Sequence, residues 1–126
     1  MTLQPKRIQE LRDKMATLCM GWEEGSPASN PDYKYWGRQH PIGFEFVIPQ
    51  EDFRPDRPNG QIEMLVDRMV ELGWTYLLWW DEDTKEHGAR FYKPELKDIG
   101  GLAYDPDNRR IAIMLAIEVA LESEGK

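Results

Sequence analysis

The sequence has one cysteine, Cys19, so it contains no second thiol with which an internal disulfide could form. Cys19 lies on the apolar side of a segment with helical spacing, which predicts a buried free thiol in a reducing cytosol rather than a nucleophile. No apolar run approaches the length of a membrane span, and the first residues alternate charged with apolar side chains instead of forming a secretory signal. We therefore expect a soluble, cytoplasmic protein.

Residues that support common catalytic chemistries are also scarce. The two histidines, His40 and His87, have no neighbouring Cys or His at zinc-ligand spacing. The loop serines Ser26 and Ser29 lack the strand-to-helix turn that exposes a nucleophilic serine. Gly100-Gly101 lacks the lysine and the further glycines of a phosphate-binding loop. We therefore expect no catalytic residue set, no metal site and no cofactor.

Runs of lysine or arginine are absent, and the formal net charge is -7. The acidic surplus lies mostly from Glu63 onward, because the first 60 residues hold nine acidic and eight basic side chains. An acidic chain without a segregated basic patch repels a phosphate backbone, so we predict no direct binding to nucleic acid. The acidity serves solubility, and it also favours contact with basic protein surfaces.

An almost entirely apolar stretch near the C-terminus organises the rest of the chain. It runs from Arg109 to Glu122 with the sequence RRIAIMLAIEVALE, which is enough for more than three helical turns. Ala112, Ala116 and Ala120 recur at every fourth position and form a ridge of small residues on one side of the predicted helix. We expect a sheet or a second helix to approach this ridge closely.

Three helices are predicted in all. The first extends from Pro5, a residue typical of a helix start, to Met20, and Gly21 supplies its C-terminal cap. The second extends from Gln61 to Leu72, because its apolar residues recur at spacings of three and four. The third extends from Asn108 to Glu122.

Three segments have the spacing of β-strands. Residues 44–48 alternate phenylalanine and isoleucine with other residues, which predicts a strand with one buried face. Residues 74–80, WTYLLWW, are apolar on both alternating faces, which predicts a central strand covered from both sides. Residues 89–93, ARFYK, are predicted to return antiparallel to that strand. The connections over residues 23–41 and 95–106 are predicted to be irregular.

These elements predict a single α+β domain over residues 1–126. Its architecture is expected to be an α-β-α layered sandwich, in which three helices surround a small, mainly antiparallel sheet.

Several blocks of the sequence resemble the phage αβα-sandwich domain family, which consists of small phage and prophage proteins. The block LRDKMATLCMGW is similar to the family's opening helix, and FRPDRPNGQIEMLVDRMVELGW is similar to its proline turn and second helix. The blocks ARFYK and RRIAIMLAIEVALE are similar to its closing strand and last helix. The resemblance covers residues 8–122. It implies a three-layer fold and a phage setting, and it brings no catalytic pattern with it.

Two parts of the sequence are candidates for a binding site. The segment 23–41 carries aromatic residues that either close a loop over the core or offer rigid contact area to a partner. Asp81-Glu82-Asp83 either forms a solvated turn or holds a cation, while Asp105-Pro106-Asp107-Asn108 better suits the N-cap of the last helix. The binding residues predicted from these segments are Tyr35, Trp36, Arg38, His40, Asp81, Glu82 and Asp83.

The sequence favours a function in binding rather than in catalysis. The most specific version is a phage-type inhibitor that contacts a host protein, for instance a bacterial defence factor. One alternative is a protein that sequesters a nucleotide-like small molecule between aromatic rings and Arg38 or Arg90. A third hypothesis is a metal-dependent enzyme that uses Asp81 and Asp83.

Overall fold

The computed structural model describes residues 3–124, apart from the side chains of residues 97 and 98. Three helices and two three-stranded antiparallel sheets form this part of the chain, so the predicted α+β class is confirmed. The strands divide into two sheets instead of forming one. Within the described residues, no helix combines the length and the apolar character needed to cross a bilayer.

The helices lie where their spacing predicts. Helix α1 spans Pro5–Lys14 and continues directly into a π-helical turn, Met15–Cys19. Helix α2 spans Gln61–Glu71, and helix α3 spans Arg109–Glu124. The predicted ends are correct to within two residues, because the residues that start and stop each helix are encoded locally.

The caps explain these ends. Gly21 adopts a φ of +71°, which turns the chain back after the π-helical turn. The backbone N–H of Trp22 then donates to the carbonyl of Ala16 at 2.9 Å, and the Trp22 ring is buried. At the start of α3, the side-chain oxygen of Asn108 accepts a hydrogen bond from the backbone N–H of Arg110 at 2.8 Å.

The first sheet corrects the prediction for residues 23–41. This segment is not irregular throughout, because it contains β1, Glu23–Gly25, and β2, Tyr35–His40. Strand β2 pairs with β1 on one side and with β3, Gly43–Pro49, on the other. The turn-forming residues lie between the two strands. Gly37 is part of β2, at a position where a side chain would overlap the Phe44 ring. The predicted strand is confirmed as β3, but the predicted buried face is wrong, because none of its side chains is fully buried and Phe46 is 43% exposed.

The second sheet contains two further corrections. It has the order β4-β5-β6, with β4 at Thr75–Asp81, β5 at Glu86–Lys93 and β6 at Leu96–Asp105. The predicted hairpin of β4 and β5 is confirmed, but β4 is an edge strand with mostly exposed side chains and not a covered central strand. Residues 95–106 are not an irregular loop, because most of them form β6.

Helix α3 packs on one face of this second sheet, over β5 and β6. The alanine ridge faces the sheet as predicted, and Ala112, Ala116 and Ala120 are fully buried. A side chain on Gly101 of β6 would overlap the backbone of Ala116, so the strand and the helix meet backbone to backbone. The Gly100-Gly101 pair, which lies in the segment predicted to be irregular, therefore permits a close contact inside the fold.

Two buried carboxylates attach α1 to the rest of the molecule. Glu118 of α3 accepts hydrogen bonds from Arg7 at 2.6 and 2.9 Å and from Lys14 at 2.9 Å. Asp56 accepts two more from Arg12, at 2.8 and 2.9 Å. Burial by itself raises the pKa of both carboxyl groups, but the hydrogen bonds from the cations outweigh it and leave each pKa below its usual value.

Cys19 is expected to resist thiol reagents in the folded protein. Its side chain is 1% exposed, its sulfur donates to the carbonyl of Leu65 at 3.7 Å, and burial raises the pKa of the thiol to about 12. Labelling with a maleimide should therefore proceed only as fast as the protein unfolds, and it should become rapid in denaturant. Rapid labelling of the native protein, with circular dichroism unchanged, would contradict this packing.

Candidate functional site

One face of the second sheet is left uncovered by the helices. Directly paired residues in antiparallel strands point to the same face of a sheet. The row that contains Gly101 also contains Phe91, and both lie against α3. The alternate rows must point away from α3. We call the larger side chains on these rows the open face: Leu77, Trp79, Arg90, Tyr92, Leu102 and Tyr104.

The open face is apolar, and much of it is in contact with solvent. Leu77 is 49% exposed, Leu102 is 51% exposed and Tyr104 is 39% exposed. Isolated exposed apolar side chains are common on proteins, but a contiguous group on one sheet is typical of a contact surface. The open face therefore has the composition of a binding surface.

Its aromatic side chains are held in position by their neighbours. The Trp79 ring packs over Gly88, where any side chain would overlap it, and it meets the Tyr104 ring edge to face at 5.7 Å. The guanidinium carbon of Arg90 lies 4.6 Å from the centre of the Tyr92 ring, which is a cation–π geometry. An arginine thus lies among rings and aliphatic side chains.

A cavity of about 460 Å³ borders the open face at the end near the β5–β6 turn. Arg90, Tyr92 and Leu102 belong to both the cavity wall and the open face, and Leu96 and Ile99 also line the cavity. This volume lies within the range of about 300–1,000 Å³ that small-molecule sites occupy.

On the side facing the helices, β4 is also incompletely covered. Tyr76 is 40% exposed, Leu78 is 38% exposed and Trp80 is 45% exposed, because α3 packs over the other two strands. A groove of about 180 Å³ separates β4 from α2. Its wall combines apolar and charged side chains: Tyr76, Leu78, Ile62, Val66, Ile113, Glu63, Asp67 and Arg109. The β4 strand therefore has exposed apolar side chains on both of its faces.

The aromatic residues predicted as a binding site lie in β2 and not in a loop. Trp36 is 5% exposed and belongs to the core, so it cannot offer contact area to a partner. Tyr35 is half-buried between the rings of Tyr33 and Phe46, each with its centre 5.1 Å away. For Trp36 the structure favours the first of the two explanations, in which the segment closes over the core.

Arg38 and His40 are exposed at the end of the same strand. The Arg38 guanidinium donates to Glu45 at 2.7 Å, which holds the pKa of that carboxyl below its usual value. His40 lies beside the β2–β3 turn, where its ring nitrogen Nδ1 accepts from the backbone N–H of Ile42 at 3.5 Å. These two side chains are accessible, and they lie in a different sheet from the open face.

Asp81 ends β4, and Glu82 and Asp83 begin the turn that leads to β5. One carboxylate oxygen of Asp81 accepts hydrogen bonds from the backbone N–H groups of Asp83 and Thr84, at 3.0 and 3.3 Å, and Glu82 pairs with Lys85. This geometry is that of a solvated turn. Among the described residues, no three His, Cys, Asp or Glu side chains are grouped so that they could hold a metal ion.

The second acidic cluster caps α3, as predicted. Asp105 accepts from the backbone N–H groups of Asp107 and Asn108, at 3.0 and 2.8 Å. Its carboxylate is thus engaged with the backbone at the start of the helix.

The acidic turn adjoins the open face, whereas the β2 residues do not belong to that sheet. Asp81 follows Trp79 on the same face of β4, and its cross-strand partner is Glu86. The sequence pattern points to Arg90 but not to Leu102 and Tyr104, because it predicts an irregular connection over residues 95–106. The alternation of Leu102, Ala103 and Tyr104 was the signal that could have identified a strand there.

Comparison of the chain with family models, with curated proteins and with solved structures finds no match.

Proposed function

We propose that this protein acts by binding another protein through the open face. The observation that supports this most directly is the exposure of Leu77, Leu102 and Tyr104 on one sheet face, beside an arginine that lies over an aromatic ring. Protein contact surfaces are enriched in tyrosine, tryptophan and arginine, and anchors of this kind supply most of the binding free energy.

The charge around the open face indicates the chemistry of the partner. The acidic turn Asp81-Glu82-Asp83 lies at one end of the face, and the chain as a whole has a formal charge of -7. A partner that presents an apolar patch with a basic margin would be attracted by this field and would then bury the aromatic side chains. The acidic turn would mainly accelerate encounter.

We further propose that the partner is a bacterial host protein, for instance a defence factor in the cytoplasm of an infected cell. Binding would inhibit this host protein. The support for this setting is the resemblance of four sequence blocks to the phage αβα-sandwich family. The support for inhibition by contact is an exposed apolar surface without an accompanying set of catalytic residues in the sequence.

Replacing Leu102 with aspartate is expected to weaken binding to the purified partner by roughly tenfold or more, about 1.4 kcal/mol or above, because it places a charge in the middle of the buried contact. The partner would first be isolated from host lysate on the immobilised protein, and the dissociation constant would then be measured by calorimetry.

Val119→Asp is the matched control for Leu102→Asp. Val119 is similarly exposed, at 44%, and lies on the outer side of α3. Equal affinities for the parent and both variants would exclude the open face as the contact surface. Loss of binding in both variants would point to a nonspecific effect of added negative charge.

The cavity beside the open face favours a second candidate, the sequestering of a planar anionic small molecule. Arg90 and Tyr92 would supply charge and a stacking surface, as a nucleotide-like ligand requires. Mass spectrometry of the supernatant after heat denaturation of the purified protein would detect such a ligand. A stoichiometric small molecule that disappears in Arg90→Ala would favour this function over protein binding.

A further inference from the structure

The β4 strand has a free edge that lacks the usual protection. It is seven residues long, Thr75–Asp81, and among the described residues its only hydrogen-bonded neighbour in the sheet is β5. Edge strands of soluble proteins are commonly guarded by proline, by lysine or by a bulge, because an unpaired edge can accept another strand. The sequence TYLLWWD contains neither of these residues, the β4–β5 register is regular, and the only charge is at the last position. This edge is therefore suited to pairing.

The sequence of β4 complements itself. When two copies run antiparallel about a two-fold axis through Leu78, all seven residues are paired. Leu78 then faces Leu78, Leu77 faces Trp79 of the second copy, and Tyr76 faces Trp80 of the second copy. Thr75 faces Asp81 of the second copy, so no charge meets a like charge across the new pairing. Aromatic and aliphatic cross-strand pairs are those that stabilise antiparallel sheets.

The groove beside β4 would receive a side chain in this arrangement. Tyr76 and Leu78 line the groove between β4 and α2, and Tyr76 is the residue that faces Trp80 of the second copy. Trp80, which is 45% exposed in the single chain, lies on the same side of the sheet as the groove. The groove beside one copy, whose wall combines apolar side chains with Glu63, Asp67 and Arg109, thus lies next to the exposed ring of the other.

Edge pairing would cover part of the exposed surface of β4. Each of its five large side chains would lie beside an apolar side chain of the second copy, one strand spacing away, while its outer end stays on the sheet face. The contact would therefore consist of the strand edge, the facing flanks of these side chains and the groove beside Tyr76.

From these observations we infer that β4 pairs with β4 of a second copy of this chain, forming a closed two-fold dimer with one continuous six-stranded sheet. The two open faces become a single surface on one side of that sheet, because the pairing uses backbone edges and leaves both sheet faces in place. The dimer does not depend on the proposed function, since it requires only the free edge of β4 and the groove beside it.

Sedimentation equilibrium of the full chain over a wide concentration range tests the inference. The parent should have twice the mass of one chain, and Leu78→Lys should sediment as a monomer, because two ammonium groups would meet on the two-fold axis. Val119→Lys, which changes the exposed side of α3, should remain dimeric. A parent that is monomeric throughout overturns the inference, and so does a mass that grows beyond the dimer with concentration.

A second pair of variants tests the register and does not depend on the folding of Leu78→Lys. Thr75 is exposed, and Thr75 of each copy would face Asp81 of the other copy. The dimer would therefore contain two such pairs. Thr75→Lys should therefore tighten the dimer, and Thr75→Glu should loosen it, each by roughly 2- to 30-fold in the dissociation constant. Equal dissociation constants for the two variants would exclude this pairing, even for a parent that is dimeric.

Discussion

Replacing Ala116 with glutamate is expected to destabilise the folded protein by about 4 kcal/mol or more, a large part of the roughly 5–15 kcal/mol that stabilises a typical domain. Ala116 is fully buried, and its backbone lies against Gly101 of β6, where not even a methyl group fits. A glutamate there must either bury an unpaired charge or separate the helix from the sheet. Chemical denaturation monitored by tryptophan fluorescence measures the effect.

The control for this prediction is Val119→Glu, three residues further along α3. Val119 is 44% exposed, so the same side chain can reach water from that position. The expected change is within about 0.5 kcal/mol, which is usual for surface substitutions. If the melting temperatures of Ala116→Glu and Val119→Glu lay within a few degrees of each other, that result would contradict the packing of α3 on β6 through Ala116.

Replacing Glu118 with alanine is expected to destabilise the protein by about 2–3 kcal/mol. Removing one partner of a buried ion pair costs about 3–5 kcal/mol when the remaining charge cannot regain water. The side chains of Arg7 and Lys14 are each 32% exposed, so both cations recover part of their hydration, and the expected loss of stability lies at or below the lower end of that range. Urea denaturation at neutral pH measures this difference.

Glu122→Ala supplies a matched comparison, because Glu122 also pairs with Lys14, at 3.2 Å, but its side chain is 47% exposed. The Glu122→Ala substitution should lower the free energy of unfolding by less than about 1 kcal/mol.

The pKa of Glu118 is lower in the folded chain than in the unfolded chain, so the stability that Glu118 contributes is present above the unfolded value of about 4.3. That contribution is lost as the pH falls through the folded value. The difference in unfolding free energy between the parent and Glu118→Ala should therefore become smaller below about pH 4. A difference that grew there would contradict the ion pairing.

The helices were predictable because their signals are local. Pro5 and Gly21 mark the two ends of the first helix, and the fourfold spacing of alanines marks the face of α3 that meets the sheet. Each signal depends on residues within a few positions of one another. Tertiary contacts therefore did not have to be known in advance.

The sheets were less predictable, because glycine has two opposite uses. Gly100-Gly101 suggested a loop, but the structure uses Gly101 for a close approach between a strand and a helix. The apolar sequence of residues 74–80 suggested burial on both faces, but within residues 3–124 β4 has only one neighbouring strand. Neither outcome follows from spacing, since both depend on which distant segment packs beside the strand.

The candidate site was predictable only in part. The acidic turn was predicted, because an acidic cluster between two strand patterns is visible in the sequence. In the structure this turn adjoins the open face. Trp36 was misjudged, because a tryptophan in a segment rich in turn residues gives no sign of whether its ring points inward. The open face itself results from the pairing of three strands, two of which were assigned correctly.

The contact between Gly101 and Ala116 also has a consequence for the thermodynamics of binding. No flexible side chain separates β6 from α3 at this point, so the sheet behind the open face has little freedom to bend. A partner that binds there would meet rings already in their bound positions, and little conformational entropy would be lost on association. Calorimetry should then give a negative heat-capacity change that follows the apolar area buried, without the additional contribution that accompanies the folding of a mobile segment.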